Sequence, residues 1–474
     1  MAVDSGWESG VPILSPALRP VATHAMIPIR ASRCALMVSA FLPATARAQH
    51  TGAPAAARDL STASASQLLQ LLPDGEEKRR FILDCTGCHT FDARMAAPDG
   101  RARTRAQWDT ATHRMLGYAG ATSNFPVIAA AREPAPTAEW LARWITDASL
   151  AMVALAAPRG SPKVREYMMP MAQDLPHDVA VDADGDVVIT GMFSHKMYRL
   201  DPASGALETF DIPQERANPR AVEIDDRGAW WVLLGAPRRI ARRDPVSGTW
   251  TTHDIGMYPH SIGVDRAGRV WFNGHFTRDP EQLGFLDPAT GAVTLRNVPP
   301  HPVLAKVPGG PIPYELRIAP DGSVWISELG GNRIIRHDPT ANTFRSFDMP
   351  TPHSGPRRFD FDAQGMLWIP EYSGGKLARL DLQTGQFTEW ALPVKDAAPY
   401  VVRVDQQRGD VWIATGAADA VFRFDPRTAR FTTYELPTRG ALVRHLDIDP
   451  RIGVVWAAYG ASPGIPARVA RIER

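Results

Sequence analysis

The sequence predicts two folded parts, a small all-α unit followed by an all-β seven-bladed β-propeller. Three observations predict this. A motif of turns and alternating apolar residues recurs through residues 163–474. The last strand of that motif is missing from the chain's end, and a copy stands in front of the first repeat. Between an Ala/Ser/Thr-rich leader and the repeats, residues 67–146 carry helical rather than alternating apolar spacing.

The chain has 474 residues and 44% hydrophobic content, enough for more than one core. Lys+Arg 52 against Asp+Glu 51 leaves a net charge of +1. That balance argues against a nucleic-acid binder, which needs a basic face to neutralise phosphates.

In chain order, residues 1–48 read as an N-terminal extension and signal peptide, with Met26 the true start. Arg30 and Arg33 precede an apolar run from Cys34 to Pro43, and Ala46-Arg47-Ala48 matches a small-residue cleavage site. The run is too short for a membrane span, which needs about 20 residues. Cleavage near Ala48 predicts a periplasmic or secreted chain with no membrane span in its mature form. It also removes one of 3 cysteines, leaving Cys85 and Cys88. Residues 49–66 read as a flexible leader and 67–146 as the helical unit. Residues 147–162 read as a linker and 163–474 as the propeller. On this reading, a chain cut near Ser161 leaves a propeller that stands alone.

Each repeat opens Pro-x-x-apolar-x-apolar-Asp, turns at Gly, and continues apolar-Trp-apolar. A basic-apolar strand ends in Asp-Pro, a Thr-Gly turn follows, and the last strand ends in Pro. First strands start at Pro176, Pro219, Pro259, Pro313, Pro356, Pro399 and Val443, with spacings of 43, 40, 54, 43, 43 and 44 residues. This period, with four strands per unit, is that of a β-propeller. The displaced strand, Lys163–Pro170, completes the seventh blade and removes the open edge. Trp231, Trp271, Trp325, Trp368, Trp412 and Trp456 recur at one position of the second strand and read as packing between blades.

Cys85-Thr86-Gly87-Cys88-His89 is C-x-x-C-H, the spacing at which two thiols reach one porphyrin and the adjacent imidazole falls under its iron. The other readings are half of a zinc site or a redox dithiol. Zinc needs further ligands at matching spacing, and a thioredoxin-like dithiol needs a βαβ context. The flanking segment, with EEKRRFILD before the motif, a Trp-containing helix ending in Arg114-Met115, and EWLARWI at its end, resembles class I cytochrome c domains. That resemblance implies one covalent haem c and a methionine as second axial ligand. WDTATHRMLGYAGA resembles the stretch that carries it, which assigns Met115, with His113 and Met95 as alternatives.

In the propeller, the residue after each repeat Pro should ring the channel on one face. These are His177, Arg220, His260, Tyr314, Arg357, Tyr400 and Arg444. The ring favours an anionic or carbonyl-rich small molecule. Glu328 and Glu371 end the second strands of adjacent blades and could host a divalent cation there. The insertion Pro299–Pro313 falls on the same face.

Lines such as PYELRIAPDGSVWISELGGNRIIRHDP and TTYELP resemble the streptogramin B lyase (virginiamycin B lyase) family of seven-bladed propellers. The resemblance implies a metal-dependent elimination using Pro-His in blade six, and Glu-Pro-His and a second Glu in blade seven. Here those positions hold Pro399-Tyr400, Leu442-Val443-Arg444, and Tyr459 or Gly460. The expected function is therefore an exported c-type haem protein. Its helical unit transfers single electrons with a redox partner protein, and its propeller binds a ligand or partner, as part of a periplasmic oxidoreductase. The alternatives are a lyase or hydrolase with an accessory haem domain, and a non-catalytic recognition module.

Overall fold

The computed structural model describes residues 57–119, 132–155, 160–235, 238–275, 280–304, 310–460 and 464–474. The signal segment and leader residues 49–56 lie outside the described residues. Six helices come first: α1 (Ala65–Leu69), α2 (Glu76–Cys85), α3 (Ala93–Ala96), α4 (Arg105–Ala119), α5 (Pro134–Trp144) and α6 (Asp147–Ala151). Their starts follow local chemistry. Ser64 and Gln67 form a capping box on α1, and Thr146 and Ser149 do so on α6. Glu76 and Glu77 occupy the first turn of α2, where the helix dipole favours acids. Pro134 opens α5, where its missing N–H costs nothing. Aromatic contacts tie the helices together: Phe81 meets Phe91 edge-on at 5.2 Å and Trp140 at 5.5 Å, and Phe91 stacks on Trp108 at 6.1 Å.

The rest forms seven four-stranded antiparallel sheets, the blades of a propeller. Six take their strands in sequence order. The seventh orders Val164–Met168, Arg468–Ile472, Val455–Tyr459 and Val443–Ile448, so the chain's first strand closes its last blade. Tyr167 pairs with Val469, and the Tyr459 hydroxyl donates to Glu166 at 2.5 Å. The six recurrent tryptophans are buried. Three of them show why Asp follows the first strand in six of the seven blades. Asp225, Asp265 and Asp362 each accept an indole N–H, at 2.9, 2.9 and 2.8 Å, while their other oxygen organises the Gly turn.

Two features position the candidate site. In six blades the register shifts just after the residue that opens the first strand, a bulge at the ring position. Bulges re-aim a side chain without breaking the sheet. Blade five differs further. Its regular first strand is only Asp360–Phe361, because the Arg358 N–H bonds Tyr400 O at 3.2 Å and Arg358 O accepts from Val402 at 2.7 Å. The start of this strand has turned to its neighbour in blade six.

The helical unit is not a separate body. One core joins Leu68, Phe81, Leu83 and Leu141 to Ile312, Tyr314, Tyr372, Tyr400 and Leu442 of the propeller. Buried Lys78 pairs with Asp396, Lys395 with Asp74 at 2.6 Å, and the Ser66 N–H bonds Ala417 O at 2.8 Å. This corrects the expectation of a propeller that stands alone, since periodicity within a repeat says nothing about what covers its end. Deleting residues 163–170 should open the edge of blade seven and abolish cooperative unfolding by circular dichroism. Removing residues up to 160 should leave the seven sheets intact but expose the apolar mouth, giving a β-rich protein that self-associates and binds a hydrophobic dye.

Candidate functional site

The ring residues converge. His177, Arg220, His260, Tyr314, Arg357, Tyr400 and Arg444 are all buried at the channel mouth, beneath the helical unit. His260 packs on Tyr314 at 4.1 Å and on His275 at 4.2 Å, and meets His177 at 5.9 Å. The Tyr314 and Tyr400 hydroxyls hydrogen-bond each other. The Arg357 guanidinium lies 3.7, 4.2 and 4.9 Å from the ring centres of Tyr372, Tyr400 and Tyr314. Arg220 stacks on Tyr258 at 4.8 Å and donates to its hydroxyl.

The Cys85–His89 loop sits directly on this ring. The Arg444 Nη2 donates to Cys88 O at 2.6 Å, and the Tyr372 hydroxyl donates to Thr86 O at 2.8 Å. A Cβ on Gly87 would stand 2.7 Å from Arg357 Nη2 and would displace that guanidinium. Backbone strain is stored nearby: Ile312, β-branched and buried, holds φ 53° just before the blade-four proline.

Sequence reasoning missed Tyr372, His275 and Tyr258. A signal existed for the first two, which follow the second strands of their blades by one residue, one step beyond the positions singled out. Glu328 and Glu371 are fully buried and stand apart from the ring. Glu328 holds Arg333 through two bonds of 2.6 and 2.7 Å. Burial and the adjacent Glu389 push the Glu371 carboxyl up to about 9. A carboxylate already paired and a carboxyl protonated at neutral pH are poor ligands for a hard cation. Among the described residues no three acidic, His or Cys groups form a metal cluster.

The residues of the loop fit a covalently attached porphyrin. Cys85 and Cys88 are unpaired, and burial pushes the Cys85 thiol up to about 12, the reverse of what a redox dithiol needs. The His89 Nδ1 lies 3.1 Å from Thr90 O. With the Nδ1 proton on that bond, the Nε2 lone pair is left free. The buried Trp108 Nε1 has no acceptor among the described residues, and a carboxylate of a bound group would supply one. Met115 is half-buried in α4. His113 is exposed and turned to its own helix, with Nδ1 2.9 Å from Asp109 O, while Met95 packs against the core.

Below the ring the channel holds a cavity of about 280 Å³ lined by Asp178, Glu223, Glu315, Arg317, Arg403 and Asp447. Arg358 grips Asp178 at 2.8 and 3.0 Å, and Arg403 reaches Glu315 at 3.1 Å. Burial pushes the Glu223 carboxyl up to about 7. Burial would raise Asp178 too, but Arg358 and the neighbouring histidines hold it far below the usual carboxylate range.

The Virginiamycin B lyase family model matches residues 304–462. In structure, the chain resembles virginiamycin B lyase from Staphylococcus aureus, at TM-score 0.58 and 20% identity over 66% of this chain and 99% of that one. A streptogramin B lyase gives TM-score 0.57 and 21% identity over 65% and 97%. The WD40 repeats of RRP9 give TM-score 0.53 and 10% identity over 67% and 98%. In sequence, no curated protein matches the chain. These likenesses establish a seven-bladed propeller of the streptogramin B lyase-like fold. The lyase-family positions are filled here by other interactions: Arg444 holds the loop, Tyr400 bonds Tyr314, and Tyr459 bonds Glu166.

The buried histidines make a pH prediction. Burial lowers His177 to about 4, and lowers His260, His275 and His445 well below the ordinary value. An unfolded histidine titrates at about 6.5. Between pH 6.5 and 4 the unfolded chain therefore binds more protons, and stability falls as pH falls through that window. The melting temperature should drop steeply there. His177→Asn should reduce proton uptake on unfolding by about one, read as a shallower dependence of unfolding free energy on pH.

Proposed function

We propose that the chain is an exported c-type haem protein that transfers single electrons. Cys85 and Cys88 carry haem c through thioethers, and His89 Nε2 and Met115 ligate its iron. The propeller serves as the seat of the haem-bearing loop and as the recognition surface for a redox partner or an anionic small molecule. The observation that carries this reading is the docking of the C-x-x-C-H loop onto the buried ring through Arg444, Tyr372 and Gly87.

When bound, the haem supplies a one-electron iron couple. The chain's own residues do the rest. Thr90 O orients the His89 imidazole. Tyr372 and Arg444 hold the backbone on either side of Gly87, so the loop cannot move independently of the propeller. The aromatic core around Phe81, Phe91 and Trp108 excludes water beside the loop. Protein exported with a haem maturation system should show a covalent c-type spectrum that acid-acetone cannot extract. Cys88→Ser should abolish two-thioether attachment. If Met115 binds iron, the oxidised protein shows the weak band of thioether ligation, and Met115→Ala removes it and lowers the reduction potential, since thioether favours the ferrous state. An unchanged spectrum in that variant would point to His113, Met95 or no sixth ligand.

The second reading, a lyase, is favoured by the family match over residues 304–462. Elimination needs a base beside an acidic proton and a cation on the carbonyl. Arg444 cannot accept a proton, and the carboxylate positions hold Leu442 and Tyr459 or Gly460. Incubation with a streptogramin B and magnesium should leave the ring closed by mass spectrometry. Ring opening that disappears with Glu328→Ala or Glu371→Ala would establish the lyase.

A further inference from the structure

Among the described residues six arginines are buried in the propeller: Arg220, Arg333, Arg357, Arg358, Arg403 and Arg444. Three have a carboxylate. Arg333 holds Glu328 at 2.6 Å, Arg358 holds Asp178 at 2.8 Å, and Arg403 holds Glu315 at 3.1 Å. Arg220, Arg357 and Arg444 have none among the described residues. They are the three that stand at the covered channel mouth.

Their donors find only neutral oxygens. Arg220 reaches the Tyr258 hydroxyl, Arg357 the Tyr314 hydroxyl at 3.2 Å, and Arg444 the carbonyls of Gly460 at 3.3 Å and Cys88 at 2.6 Å. The Nε of Arg220 and of Arg357 is buried with no acceptor among the described residues. A guanidinium carries five N–H groups, so both retain a donor for a ligand. The neighbouring histidines add no negative charge. His260 and His275 present Nδ1 to the backbone carbonyls of Tyr314 and Pro313, at 2.7 and 2.9 Å. Three unneutralised cations thus surround one axis, and buried cations require a counter-ion.

We propose that Arg220, Arg357 and Arg444 form an anion-binding site at the covered channel mouth. It takes a small oxyanion or a carboxylate pair on the ring's guanidiniums. Guanidiniums match such oxygens through paired N–H bonds, and the Tyr314–Tyr400 hydroxyls stand beside them to donate. The site rests on the propeller's own charges and does not depend on the haem reading. Two sources share the required chemistry: carboxylates of a porphyrin attached at Cys85 and Cys88, and a free anion.

The test uses the full chain made with and without haem attachment, titrated calorimetrically with sodium sulfate and sodium oxalate against sodium chloride at matched ionic strength. The haem-free chain should bind one of these anions saturably. Arg220→Gln and Arg357→Gln should each weaken binding about tenfold or more, the loss expected for one charged hydrogen bond, while Arg143→Gln on the exposed face of α5 changes nothing. Loss of binding on haem loading, with a reduction potential that moves in Arg357→Gln, assigns the site to the porphyrin carboxylates. Binding in both forms assigns it to a free anion. Thermal melts supply a second readout. Removing an unneutralised cation should raise the melting temperature of Arg220→Gln in chloride and erase the gain that sulfate gives the parent chain. No saturable binding of sulfate or oxalate in either form, or binding that both ring variants leave intact, overturns the proposal.

Discussion

Seven first strands must converge on one axis for a propeller to close, and that convergence governs the rest of this molecule. It brings the residue after each repeat proline to a common mouth whatever its chemistry. In this chain the result is three guanidiniums, two imidazoles and two phenols in one buried ring. The bulge that follows the opening residue in six blades is part of the same geometry, because it turns the ring side chain toward the axis while the strand continues into its blade.

The magnitudes explain the composition around the ring. Burying an unpaired ion costs several kcal/mol even after relaxation, against a total stability of about 5–15 kcal/mol for a typical domain. A cation over an aromatic face recovers only about 0.5–2 kcal/mol. Arg357 therefore lies among three tyrosines, and Arg220 stacks on a fourth. Tyr400 responds in turn. Burial would raise its hydroxyl, but Arg357, Arg444 and Arg358 outweigh it and bring the phenol below its ordinary value. Tyr400, a poor base by its unperturbed chemistry, is thus the phenol on this ring that is easiest to ionise.

The same mouth explains why the helical unit depends on the propeller. Helices α1, α3 and α6 have 5, 4 and 5 residues. Helices that short are not stable alone in water. Their apolar faces share one core with Ile312, Tyr314, Tyr372 and Leu442, so the lid and the ring bury each other. Docking also sets where the cysteine motif stands, over Arg357 and Arg444 of the ring.

What the sequence determined by itself was everything carried by local period and turn chemistry. The repeat spacing, the displaced strand Lys163–Pro170, the tryptophan stripe and the ring of residues after each proline are all readable from alternation and Gly or Asp turns. So is the C-x-x-C-H motif, whose meaning lies in spacing alone. The tertiary structure decided which distant groups meet. Thr86 and Tyr372 are 286 positions apart, and Cys88 and Arg444 are 356 apart, with no pattern in either segment that names the other. It also decided that Glu328 joins Arg333 and that Arg358, one residue past the ring, pairs with Asp178 across the channel. Charge state and pairing in a buried site depend on neighbours supplied by other blades, and a one-dimensional pattern holds no record of those distances.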